Sequence, residues 1–86
     1  MKADKEKISR AIKIARGQLD GVLRMIEEDR YCMDISQQLL AVDALVRRAN
    51  KEVLTAHLKH CVEQADTPQE RAQKVDELVA ALGKLL

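Results

Sequence analysis

From Tyr31 to Val62 the sequence contains neither glycine nor proline, and apolar residues recur through it at spacings of three and four. That period lines one face of an α-helix, so the stretch predicts a single long helix. Ile35, Leu39, Val42, Val46, Ala49, Val53, His57 and Cys61 fall on this face, and Leu40, Leu45, Leu54 and Leu58 add a second stripe beside it. A helix with two apolar stripes has more to bury than one neighbour covers. It therefore belongs at the centre of the fold, with the rest of the chain arranged around it.

The flanking segments supply the neighbours. Residues 1–30 place Ile8, Ile12, Ala15, Leu19, Val22 and Ile26 on one helical face, with Asp4 as its N-cap. Gly17 and Gly21, four apart, offer close approach to another helix, despite a cost of about 1 kcal/mol for each glycine in a helix interior. Glu27, Glu28, Asp29 and Arg30 form a polar corner. A third helix begins at Asp66-Thr67-Pro68, where Asp66 or Thr67 caps and Pro68 suits the first helical position. Val75, Leu78, Val79, Leu82, Leu85 and Leu86 make its apolar face, and Gly83 is expected to fray its end. With no Trp or Phe, one Tyr, three Gly and one Pro, the composition argues for an all-α chain with an aliphatic core, one domain over residues 1–86.

Eighty-six residues bury little surface on their own, so self-association is expected. No apolar run approaches the roughly 20 residues of a membrane span, and no signal or transit peptide is visible. Two cysteines without a secretory leader point to a reducing, cytoplasmic setting in which thiols stay free as ligands or sensors.

Those cysteines sit at opposite ends of the long helix. At a rise of about 1.5 Å per residue, Cys32 and Cys61 lie roughly 44 Å apart and cannot meet within one chain. If two copies of the helix pack antiparallel about a two-fold axis near Leu45 and Val46, Cys32 of one copy falls beside His57 and Cys61 of the other. His57 and Cys61, at i and i+4, point the same way. Two thiolates and an imidazole are soft enough to favour Cu(I), which accepts three ligands, whereas structural Zn²⁺ usually takes four. His60 is rotated about 100° from Cys61 and stays outside this set. The plainer reading is that the cysteines pack as small hydrophobes; the His57–Cys61 spacing and the register that closes on Cys32 weigh against it.

Charge is concentrated. Residues 1–17 carry Lys2, Lys5, Lys7, Arg10, Lys13 and Arg16 against Asp4 and Glu6, a net of +4, while the remainder sums to −3. Arg47, Arg48 and Lys51 form a second cluster near the expected axis. Arg10, Lys13, Arg16, Arg47, Arg48 and Lys51 are accordingly candidate phosphate contacts, against the alternative of an ordinary solvated face. Nothing resembles a helix-turn-helix or a zinc finger.

Arg16-Gly17-Gln18-Leu19-Asp20-Gly21, Tyr31-Cys32-Met33-Asp34 and His57-Leu58-Lys59-His60-Cys61-Val62 resemble the CsoR family of copper-sensing transcriptional repressors, over nearly the whole chain. The resemblance implies a three-helix protomer, an antiparallel homodimer and a homotetramer made of two dimers. It implies a repressor that binds operator DNA in the apo form and releases it when Cu(I) binds. Carried over, Cys32, His57 and Cys61 match the metal ligands, and Tyr31 and Glu77 match outer positions that couple the histidine to the DNA-binding surface. A ligating imidazole usually does give its second nitrogen to such a group. Arg48 matches a DNA-contact position, whereas the first helix departs from the pattern: Ala11 stands where the family tends to have Arg, with Arg10 one position earlier.

Among relatives with other inducers, nickel and cobalt sensors replace the second Cys by His and add an amino-terminal His, where this chain has Cys61 and Lys2-Ala3. Formaldehyde sensors lack the second Cys ligand. Persulfide sensors keep both thiols without the His, and persulfide reactivity at Cys32 and Cys61 is the alternative to copper. An enzyme is not expected: a Cys–His pair is present without an oxyanion donor or Gly-rich loop. A purely structural helical dimer would need neither thiol.

Overall fold

The computed structural model describes residues 1–85 and contains three helices: α1 (Lys5–Glu27), α2 (Cys32–Gln64) and α3 (Pro68–Leu85). Both outer helices pack on α2 and have no contact with each other. The long helix is thus the central element, as its two stripes require, and it runs two residues beyond Val62.

Local chemistry explains the boundaries. The Asp4 carboxylate accepts hydrogen bonds from the amides of Glu6 and Lys7 at 3.1 and 3.2 Å, satisfying two of the donors a helix start leaves open; loss of such a cap costs about 1 kcal/mol. α1 ends where Asp29 turns to φ 52°, with Asp29 N–H donating to Ile26 and Arg30 N–H to Met25. This is a Schellman closure with Asp in the left-handed position usually given to Gly. Thr67 is the α3 cap: its hydroxyl accepts from Glu70 N–H at 3.1 Å, while the Glu70 carboxylate reaches back to Asp66 N–H at 3.2 Å. Pro68 opens the helix where its missing N–H is harmless.

Two expectations change. α3 continues through Gly83 to Leu85 instead of fraying, because one glycine near an end weakens a helix without terminating it. Leu86, assigned to its apolar face, lies outside the described residues. Gly17 meets nothing within 4 Å, and Gly21 meets only the Arg24 guanidinium at 3.7 Å. No helix of the same chain uses that approach.

The buried core consists of Ala15, Val22, Val42, Ala49 and Leu78. On α1 the inward stripe is Ile8, Ala11, Ala15, Gln18, Val22 and Met25, so Ile12, Leu19 and Ile26 are turned to the exposed side. On α2, Leu39, Leu40 and Val46 are likewise exposed. The molecule measures 57 × 25 × 12 Å with a radius of gyration of 17.3 Å, against about 12 Å for a compact domain of this length. Its accessible surface is 6796 Å², against about 5,100 Å² for a compact monomer of this mass. The chain is thus a thin, elongated slab that leaves much apolar surface exposed.

Candidate metal centre and basic groove

His57 and Cys61 lie one turn apart near the end of α2. Their Nε2 and Sγ atoms are 3.4 Å apart and part-buried. Both outer helices pack against α2, and from Glu52 to Cys61 only Thr55 and Lys59 are exposed. The pair is therefore held by packing as well as by helical phase.

Cys32 is the first residue of the same helix, and it is exposed. Because α2 is unbroken between them, the two thiols are held about 44 Å apart. Among the described residues no three His, Cys, Asp or Glu side chains gather as a ligand set. The chain thus supplies two adjacent soft donors and a third at the far end. Imidazole and thiolate suit a soft ion such as Cu(I), and a closed set needs a donor from another molecule.

The outer positions are also separate within one chain. Tyr31 is the α2 N-cap residue without a side-chain cap bond, and its ring is 69% exposed. Glu77 is exposed, with its carboxylate 3.8 Å from Lys74 Nζ.

The predicted cations divide. Arg10 and Arg48 line one groove between α1 and α2, together with Lys7, Ala11, Leu45 and Glu52. Arg48 and Lys51 line an adjoining cleft with Lys7 and Lys59. Lys13 shares one depression of α1 with Arg10 and Ser9 and a second with Arg16, Ile8 and Ile12. Arg10, Lys13, Arg16, Arg48 and Lys51 have no carboxylate partner among the described residues, whereas Lys7 pairs with Glu52 at 3.0 Å and Arg47 with Asp43 at 2.9 Å. Lys7 and Lys59 were absent from the sequence-derived set. Helical phase from Lys51 and Thr55 would have found Lys59; Lys7 required the α1–α2 register. Ala11 packs toward α2 beside Arg48.

A thiol–imidazole pair and a cationic groove thus share the second half of α2. Residues 4–84 match the metal-sensitive transcriptional repressor family, and the chain belongs to it. It is 42% identical over 71 residues to the copper-sensing transcriptional repressor CsoR of Mycobacterium ulcerans, an alignment covering 83% of this chain and 61% of that protein. Its fold is similar to the Cu(I)-bound copper-sensing repressor CsoR of Geobacillus thermodenitrificans, with a TM-score of 0.81, 32% identity, and coverage of 98% and 91% of the two chains. It is equally similar to the nickel-responsive transcriptional regulator InrS, with a TM-score of 0.82, 26% identity, and coverage of 100% and 97%. These relatives are transcriptional repressors and regulators, not enzymes.

Proposed function

We propose that this chain is a Cu(I)-responsive repressor: it binds operator DNA in the apo form and releases it when Cu(I) occupies His57 and Cys61 together with Cys32 of a second copy. The observation that carries the reading is the pairing of His57 Nε2 with Cys61 Sγ at 3.4 Å on a helix whose other thiol stands exposed at the far end. Bound copper would draw both chains onto one ion, changing how the two α2 helices sit. The assembly is an antiparallel homodimer, and two dimers make a homotetramer. That arrangement would cover the exposed Leu39, Leu40 and Val46 and the Ile12, Leu19 and Ile26 strip of α1.

The copper assignment over nickel rests on the second thiolate, since Cys61 makes the donor set softer than an imidazole would. The test is a Cu(I) titration against a chromogenic chelator, run beside operator anisotropy. One Cu(I) per protomer together with loss of DNA binding is expected; DNA affinity unchanged across the full titration would remove the sensor reading. A second reading is favoured by the two free thiols: the Cys32 or Cys61 thiolate takes the outer sulfur of a low-molecular-weight persulfide, releasing its thiol, and the other cysteine of a second copy attacks the inner sulfur and displaces hydrosulfide, leaving a disulfide between copies. Non-reducing electrophoresis after persulfide treatment distinguishes it. A covalent dimer that releases DNA without copper would support this reading.

A further inference from the structure

Arg47 differs from the other basic residues of the cluster. Its Nε donates to Asp43 Oδ2 at 2.9 Å, one turn back on α2, and its Nη1 donates to the main-chain carbonyl of Leu85 at the end of α3. The Leu85 carbonyl is among the last four of its helix, which have no donor within the helix, and a cation there also complements the helix dipole. The forked guanidinium can satisfy Asp43 and Leu85 together; a lysine ammonium lacks that planar fork. Arg48 and Lys51 meet Leu82 and Leu85 in the cleft beside this contact. They are thus flanked by two ties to the outer helices, Arg47 to α3 and Glu52 to Lys7 of α1.

We propose that Arg47 is a positioning residue: with Asp43 it clamps the last turn of α3 to α2 and so sets the place of Arg48 and Lys51, and it does not itself neutralise a DNA phosphate. Asp43 already compensates its charge, and two of its donor nitrogens are engaged. The α3 helix carries Glu77, so the clamp joins the helix expected to respond to metal with the turn expected to meet DNA. The DNA part of this inference rests on the repressor reading; the clamp itself does not.

The sign of one substitution decides between charge and position. Asp43→Asn removes a negative charge near the basic groove, and through charge alone it would tighten DNA binding or leave it unchanged. Under the clamp it weakens operator binding, as does Arg47→Lys, each by roughly 2- to 30-fold, with the slope of log affinity against log salt unchanged. Hydrogen exchange on the DNA-free protein should also show faster exchange at residues 82–85 in both variants, with the rest of the molecule unaffected. Tighter or equal DNA binding by Asp43→Asn would overturn the positioning role, as would a reduced salt slope in Arg47→Ala. Unchanged exchange at residues 82–85 in both variants would overturn the clamp. A parent protein that binds no operator at all would remove the repressor reading instead, and the exchange result would still judge the clamp.

Discussion

The two ends of α2 are chemically alike and physically opposite. Each carries a cysteine, but among residues 32–41 only Ile35 escapes full exposure, whereas among residues 52–61 only Thr55 and Lys59 are exposed. The difference follows from where the outer helices lie. α3 returns from Gln64 along the second half of α2 and reaches Arg47 with its last turn, and α1 brings Lys7 to Glu52. Only α1 runs beside the first turns of α2, which α3 does not reach, and there Met33, Leu39 and Leu40 face outward. On the proposed function the chain holds one half of a site, with its imidazole and thiol already adjacent, and leaves the other half as a bare thiol on an apolar end. Under that proposal assembly is a requirement of the site, and not only a remedy for a small core.

The largest effect tests that division directly. Cys32→Ala and Cys61→Ala should each abolish the tight three-donor site, because every homodimer then lacks one thiolate at both positions. Mixed heterodimers contain one doubly defective site and one that joins the intact Cys32 of one chain to the intact His57 and Cys61 of the other. Chelator competition should recover half the sites of the parent. Verified heterodimers with no tight Cu(I) site would refute the shared arrangement.

Next in size is the exposed end itself. Leu40 is 65% exposed in the single chain, and a surface substitution that touches nothing usually changes stability by no more than about 0.5 kcal/mol. If another copy covers it, burial is worth about 1.5–3 kcal/mol, so Leu40→Asp should weaken association by roughly 10- to 100-fold. Sedimentation across a concentration series checks this. Identical oligomeric states for variant and parent would place the interface elsewhere.

Much of this contrast was legible before the fold was known. Asp4, Thr67 and Pro68 announce helix starts because their side chains answer a local need, and the His57–Cys61 spacing fixes a shared direction on any α-helix. The phase of α1 was less accessible. Ile12, Leu19 and Ile26 form as regular an apolar stripe as the inward one, and the inward stripe includes Gln18, whose side-chain oxygen is buried without a partner. A helix that packs on its own chain and leaves a second apolar strip carries two faces in one pattern, and spacing alone does not say which is internal. Arg47 read as one more cation of a basic cluster. The Asp43 spacing of four was visible, but its tie to Leu85 spans 38 positions and is a property of the α2–α3 packing.

Coupling between the built site and the groove is a smaller and finer test. In the single chain the Glu77 carboxylate is exposed and 3.8 Å from Lys74, so removing it leaves Cys32, His57 and Cys61 intact. Glu77→Ala should bind Cu(I) as the parent does yet lose much of a coupling free energy of about 1–3 kcal/mol between metal and DNA. By linkage, DNA should then weaken Cu(I) binding less in the variant than in the parent. Parent-like release of DNA by Glu77→Ala would show that the carry-over of this role is wrong.

The smallest effect concerns one charge in the groove. Arg48 has no carboxylate partner among the described residues and lines the clefts on both its α1 and α3 sides, so its guanidinium is free to displace a counterion from a phosphate. Each neutralised phosphate contributes about 0.9 to the slope of log affinity against log salt. Arg48→Ala should flatten that slope by about one such step while leaving Cu(I) stoichiometry unchanged. Arg47→Ala, whose charge is answered by Asp43, should leave the slope where it was. Measured on the same operator, the two neighbours separate contact from position: a slope unchanged in Arg48→Ala would take that residue out of the interface, and the basic surface would have to be sought along α1, among Arg10, Lys13 and Arg16.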